Sequence, residues 1–238
     1  MPLLRGRFGR PYLYEERCES TQLLLAADAP EGAVAVCDFQ SAGRGRLGRR
    51  WEAPRGTALQ LSVLLRPPAD RRPAELTLVA ALALAETLEE VAQVPAAIKW
   101  PNDVLVGERK VAGILGETRG EAVVLGVGLN VEQTEEELPP RTRQPPTSLR
   151  VATGHSFDRA ALLASLLDRL EPRYDAWVDD GLAALRDELD ARDFLRGRIV
   201  RVGELRGRAV EIGADGNLVL ESGGERHAVV GGEVTYEA

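Results

Sequence analysis

Apolar residues recur along this chain with two different periods. "GAVAVCDFQ" (Gly32–Gln40) is a short apolar run rich in β-branched residues and reads as a buried strand. "TALQLSVLLRP" (Thr57–Pro67) reads as a strand with partial alternation, stopped by Pro67 and Pro68. Then the period lengthens. "PAELTLVAALALAETLEEVA" (Pro73–Ala92) is apolar nearly all round, with a proline near its start, which predicts a central helix packed on several sides. "AAIKW", "DVLVGERKVAGILGET" and "EAVVLGVGLNVE" return to strand patterns, with turns at Gly107-Glu108 and Arg119-Gly120, the shape of an antiparallel meander. Upstream, "PYLYEERCESTQLLLAADA" predicts a short strand and then a helix opened by Ser20 or Thr21 as N-cap.

The second half begins with a polar, proline-rich connection, "EQTEEELPPRTRQPPTS", expected to be a surface loop. From Asp158 to Arg192 the pattern predicts two helices broken near Asp179 to Gly181. Beyond about Phe194 the chain switches to short alternating strands, with Asp215-Gly216 as a hairpin turn, and reads as a small β-barrel of about five strands. The fold class expected is α+β: a mixed or antiparallel sheet with packed helices over 1–192 and a small barrel over 193–238.

Composition narrows the function. The 238 residues are enough for a full core, and 44% hydrophobic with 28% charged content fits a soluble globular chain. No apolar run reaches the length of a membrane span and no apolar signal core opens the sequence, so a cytoplasmic location is expected. A formal net charge of −7 argues against general nucleic-acid binding. Two histidines, His155 and His227, have no plausible nucleophile beside them, which disfavours a Ser-His or Cys-His hydrolase. Cys18 and Cys37 lack metal-site spacing and read as reduced, core-facing thiols.

Against that acidic background stands "GRGRLGRR" (Gly43–Arg50), with four arginines and three glycines. Like charges this close repel, so the segment is expected to be extended or mobile until an anion arrives. Glycines let backbone amides approach such an anion; the simpler alternative is a solvated basic loop. Lysine usage adds a second hint: of 30 basic residues only Lys99 and Lys110 are lysines, and both fall in one segment. A chain that otherwise writes arginine keeps lysine where a compact point charge is needed.

Three segments taken in order, "FQSAGRGRLGRRW", "KWPNDVLVGERKVAGILGE" and "GVGLNV", with "ESTQ" upstream, resemble the biotin protein ligases. The resemblance runs from about Tyr12 to the C-terminus, and KWPND followed by RKVAGIL is its specific part. It implies a biotin/lipoate ligase-like catalytic unit and an SH3-like C-terminal barrel. The implied activity joins biotin and ATP into biotinyl-5'-AMP, then moves biotin to a lysine of the carboxyl carrier domain of acetyl-CoA carboxylase or a related carboxylase. With no DNA-binding segment ahead of the matched region, the monofunctional form is expected, with no nucleic-acid or membrane partner and a homodimer compatible.

The chemistry suits the residues. A carboxylate attacking the α-phosphate gathers negative charge, which calls for fixed cations and amides more than for a general acid. By resemblance, Arg46 and Lys110 are catalytic: the first holds carboxylate and phosphate, the second stabilises the reacting phosphorus. Ser20, Thr21, Gln22, Gln40, Arg44, Gly45, Arg46, Lys110 and Gly113 would bind biotin, although many relatives carry Asn where Gln22 stands. Arg44, Arg46, Trp51, Asn102, Lys110 and Asn130 would bind ATP or the adenylate, with Asp103 tied to Mg²⁺ on the triphosphate. Simpler readings stand beside these. Ser20 and Thr21 cap a helix, Gly113 marks a β-bulge, Trp51 is a core residue, Asn130 and the Asn102-Asp103 pair stabilise turns, and Trp100 is structural. Glu52-Ala53 departs from the serine common at that place. A lipoate ligase, which shares the fold and the adenylation, calls for an Arg-Arg-glycine loop with a His-Asp pair that this sequence lacks.

Overall fold

The computed structural model describes residues 4–139 and 144–237. Seven strands make the main sheet: β1 (Tyr12–Glu15), β2 (Val34–Cys37), β3 (Ala58–Leu65), β4 (Ala97–Lys99), β5 (Asp103–Val106), β6 (Arg109–Arg119) and β7 (Ala122–Asn130). Their order is β1-β2-β3-β7-β6-β5-β4. Only β1 and β2 run parallel, so the sheet is mixed, and β4 to β7 form the expected meander. The Gly107-Glu108 turn has positive φ at both residues, which suits its two-residue hairpin.

One face of this sheet carries α2 (Leu76–Thr87), entered through a 3-10 turn over Pro73–Glu75. Ten of its twelve residues are buried, because it lies between the sheet and the long α4 (Arg159–Asp180). That position explains the all-round apolar pattern. The opposite face is split. A short α1 (Thr21–Leu24) covers a small core of Leu25, Ala33, Ala35, Leu64, Ala122 and Val124, and the rest of that face stays open for a cavity. All eight residues of β3 are buried, including the polar Gln60 and Ser62, so its partial alternation records a polar face and not a solvated one.

The helical region breaks where expected, α4 ending at Asp180 and α5 spanning Arg186–Arg192 after a 3-10 turn. A five-residue α3 (Leu149–Thr153), capped by the Ser148 hydroxyl accepting from Val151 N, follows the polar stretch and was not foreseen. The expected surface loop over 132–148 lies partly outside the described residues; its described part holds a 3-10 turn at Glu135–Glu137 with reciprocal Thr134 and Glu137 capping.

The tail forms β8 (Ile199–Val202), β9 (Leu205–Ile212), β10 (Leu218–Ser222), β11 (Glu225–Val229) and β12 (Val234–Tyr236). They build one antiparallel sheet in the order β11-β10-β9-β8-β12. The expected five strands are present as this antiparallel sheet; among the described residues no pairing joins β11 to β12. Its Val200, Ala209, Leu218 and Leu220 belong to the same apolar cluster as α2 and α4. Trp100, after β4, is buried and donates its indole N–H to Gly216 O at 2.8 Å, a structural link between the two sheets.

A second tryptophan holds the helices. Trp177 on α4 is fully buried and donates to Glu75 Oε2 at 2.7 Å. Burial pushes the Glu75 carboxyl above its ordinary pKa. Trp177→Phe strands that buried carboxylate oxygen, and the expected loss is about 1–3 kcal/mol in urea denaturation. An unchanged midpoint would contradict it.

Candidate active site

Cross-strand register builds the floor of the site. Gln60 on β3 pairs with Gly128 on β7, Gly128 with Gly113 on β6, Gly113 with Asp103 on β5, and Asp103 with Lys99 on β4. One row of the sheet therefore runs from an amide, across two glycines, to a carboxylate and an ammonium. A neighbouring row holds Ser62, Gly126 and Leu115. The glycines are spatial requirements. A Cβ at Gly128 would lie 2.4 Å from the Trp51 ring, and one at Gly126 would lie 2.7 Å from Gln22 Nε2.

At the amide end, α1 delivers a polar cluster. Thr21 N donates to Gln40 Oε1 at 2.7 Å, and Thr21 Oγ1 and Ser62 Oγ are 2.8 Å apart. Gln40 Nε2 donates to Gln60 Oε1 at 2.7 Å. Ser20 occupies the N-cap position, but its hydroxyl makes no capping bond. Gln22 Nε2 donates to Leu115 O at 3.0 Å, while its buried Oε1 has no partner among the described residues. An unsatisfied acceptor in a cavity wall suits a ligand N–H.

Lys110 reaches the floor through a bulge. The register of β5 against β6 skips Val111, so Val111 and Ala112 both turn into the core. That extra residue restores Lys110 to the face of Gly113, which simple alternation would deny it. Its Nζ forms an ion pair with Asp103 Oδ1 at 2.6 Å and lies 3.1 Å from where a Gly113 Cβ would stand. Thus the bulge and the placement of Lys110 in the cavity are one feature.

The arginine loop takes a folded path and not the extended one of the two conformations expected for it. Gly45 N donates to Arg49 O and Trp51 N to Gly43 O, around a 3-10 turn at Arg46–Gly48. Repulsion is relieved by sending each arginine elsewhere. Arg44 meets Glu117 at 3.2 Å, Arg46 donates to Asn102 Oδ1 at 3.0 Å, Arg49 pairs with Glu233 of the tail, and Arg50 donates to Ser41 O at 2.7 Å. Burial lowers the Arg46 pKa, partly offset by Asp103. Trp51, half-buried, sits against Gly113 and Gly128 with its Nε1 buried and unpartnered among the described residues.

Asn102 is fixed in its turn by donating to Ile114 O at 2.9 Å, so it both stabilises the turn and orients Arg46. Asn130 donates to Thr147 O and accepts from Gln133 Nε2. Both are held by the protein before any ligand arrives.

All thirteen residues singled out from the sequence as site residues line one cavity of about 520 Å³. Six cations (Arg44, Arg46, Arg49, Arg50, Lys99, Lys110) and three carboxylates (Glu52, Asp103, Glu233) are among its described lining residues. An acidic chain thus concentrates positive charge in one place, as a polyanion site requires. Sequence reasoning gave no role to Lys99, Gly232, Glu233 or Gln144, which also line it. The lysine count pointed at Lys99; nothing local marked the tail residues. Gly128→Val is expected to push Trp51 from its seat and weaken nucleotide binding by about tenfold or more, read by calorimetry. Unchanged affinity would show that the glycine floor is irrelevant to the ligand.

This fold and cavity are those of a ligase family. The model of the biotin/lipoate A/B protein ligase family matches residues 14–133, and the chain belongs to that family. More particularly, it is 38% identical over 218 residues to the biotin–[acetyl-CoA-carboxylase] ligase of Mycobacterium tuberculosis, covering 87% of this chain and 79% of that protein. It is 36% identical over 189 residues to the bifunctional ligase/repressor BirA of Bacillus spizizenii, covering 75% of this chain but 58% of that relative's length. The solved biotin protein ligase from Aquifex aeolicus in complex with biotin and ATP superposes with a TM-score of 0.85 at 29% identity, covering 94% of this chain and 97% of that one.

Proposed function

We propose that this chain is a biotin protein ligase. It activates biotin with ATP and passes the biotinyl group to one lysine of a carboxyl carrier domain. In the first step a biotin carboxylate oxygen attacks the α-phosphorus. The new O–P bond forms as the bond to the bridging oxygen breaks, and that oxygen leaves with the electron pair as pyrophosphate. In the second, the carrier lysine's neutral amine attacks the acyl carbon, releasing AMP and a proton.

The observation that carries this reading is the single cavity in which a hydrogen-bonding cluster, Arg46 and Lys110 converge. Thr21, Gln22 and Gln40 offer fixed donors and acceptors for the ureido end of biotin, in a wall otherwise lined by Leu61, Ile114 and Leu115. Arg46 supplies forked donors for the carboxylate and then the acyl phosphate; Lys110 supplies a point charge at the reacting phosphorus. Trp51 and Asn130 are the adenine contacts, with Arg44 and Asn102 supporting the arginine loop over the nucleotide. Ser20 adds its hydroxyl to the ureido end, and Gly45 and Gly113 give close backbone approach.

Mg²⁺ belongs to the substrate in this scheme. Among the described residues no group of three or more His, Cys, Asp or Glu could hold a metal. An ion carried by triphosphate needs only one or two carboxylates, and Asp103 offers one. The tail over 193–238 is read as an SH3-like unit that lends Glu233 to the cavity rim. No described helix is long and apolar enough to cross a membrane.

Pyrophosphate exchange into ATP tests the first step. Exchange that depends on biotin and not on lipoate is expected. Exchange with lipoate alone would move the chain to the sister activity, and none with either acid would refute adenylation.

A further inference from the structure

Of the 30 basic residues in this chain only Lys99 and Lys110 are lysines, and both line the cavity. Every other one is an arginine, including three at the mouth of the site. Arg44, Arg49 and Arg50 line the cavity with side chains 46%, 61% and 63% exposed. Either residue type would supply the charge that a polyanion site requires. The two differ in what they do beside an activated acyl group.

An acyl-adenylate is a mixed anhydride, and a neutral primary amine attacks its acyl carbon. The C–N bond forms as the C–O bond to the phosphate breaks; AMP leaves with the electron pair, and the amine's proton goes to water. Only a deprotonated nitrogen has the lone pair for this step. The ordinary pKa is about 10.4 for lysine and about 12.5–13.8 for arginine, so an exposed lysine keeps a neutral share about 10²–10³ times larger. A lysine at the mouth would compete with the carrier's lysine for the acyl group, with the advantage of a reactant already held in place. The planar guanidinium stays charged and does not compete.

The two lysines that remain are kept out of this competition in different ways. Lys110 is closed on Asp103 Oδ1 at 2.6 Å, so its nitrogen lone pair is held by a proton. Lys99 is only 8% exposed, with its Nζ 5.3 Å from the centre of the Tyr236 ring. Burial lowers the Lys99 pKa, so distance and not charge protects it. In register Lys99 pairs with Asp103 and Asp103 with Gly113, the residue beneath Lys110. Two strand spacings of about 4.8 Å therefore separate Lys99 from the place near Lys110 and Arg46 where the proposed function puts the acyl carbon.

We infer that Arg44, Arg49 and Arg50 determine which amine is acylated: they keep the mouth of the site cationic without offering an amine, so the biotinyl group passes to the carrier's lysine and not to this chain. The inference rests on the adenylation reading and concerns the fate of the intermediate, not its formation.

Wild type held for hours with ATP, Mg²⁺ and biotin, without a carrier, is expected to show no biotin on Lys99 or Lys110. The readout is peptide mass mapping after hydroxylamine has removed esters and thioesters. Arg49→Lys and Arg50→Lys keep the charge and add an amine. Each is expected to gain hydroxylamine-stable biotin at the new lysine, at least tenfold above either lysine of wild type. Arg10→Lys, at an exposed position ahead of β1 and outside the cavity lining, is expected to gain several-fold less. Biotin on Lys99 or Lys110 of wild type overturns the inference. So does equal labelling at position 10, or both mouth variants staying clean while they form biotinyl-5'-AMP at the wild-type rate. A variant that makes no adenylate is given synthetic biotinyl-5'-AMP in place of biotin and ATP, with the same outcomes. Absence of biotinyl-5'-AMP with wild type would instead strike the adenylation reading itself, so the two failures are distinguishable.

Discussion

Replacing Lys110 with alanine is expected to slow biotin-dependent pyrophosphate exchange by about 10²–10³-fold, the usual cost of losing one preorganised charge at a transition state. Replacement by arginine is expected to fall nearly as far. The ammonium sits 2.6 Å from Asp103 Oδ1, above a floor cleared by Gly113. A planar guanidinium is wider, and its fork would engage Asp103 with two parallel bonds, drawing the charge toward the carboxylate. The fold should not suffer, since the Lys110 backbone is held independently by Pro145 O and Thr147 N. Single-turnover adenylate formation separates chemistry from product release. A Lys110→Arg enzyme as fast as wild type would show that positive charge of any shape suffices.

Arg46→Gly is expected to weaken biotin binding and to release the intermediate. The half-buried guanidinium is aimed by Asn102 Oδ1 at 3.0 Å, and losing a charged hydrogen bond of this kind costs about 1.5–3 kcal/mol, roughly 10–100-fold in affinity. With the clamp gone, biotinyl-5'-AMP should escape and acylate lysines without regard to sequence. Excess albumin added with ATP and biotin reads this directly: the variant should label albumin and wild type should not. Normal biotin affinity with clean albumin would pass the retaining role to Arg44 or Lys110.

The fold was legible where periodicity and burial agree. The all-round apolar stretch of α2 could only be a helix covered on several sides, and the β4–β7 meander followed from its turns. The candidate site residues were legible because they lie in four compact segments, ESTQ and the three that follow it. What escaped was long-range. Four clustered arginines repel in isolation, but Glu117, Asn102, Glu233 and Ser41 take one each, and two of those partners lie more than 70 residues away in sequence. The bulge expected at Gly113 lies instead at Val111, with Gly113 in regular register opposite Asp103, because alternation alone does not say where it breaks. Glu233 meets the cavity only because the tail sheet docks beside the main sheet, and no local pattern encodes that docking. In the tail, five alternating strands specify a sheet, whereas closure depends on how its edges pair.

The most direct test of the central proposal is the intact mass of a purified biotin carboxyl carrier domain incubated with this protein, ATP, Mg²⁺ and biotin. A gain of one biotinyl group, lost when the carrier's acceptor lysine is changed to arginine, is the expected result. A carrier domain of unchanged mass, with wild-type protein that also fails to form biotinyl-5'-AMP, would contradict it.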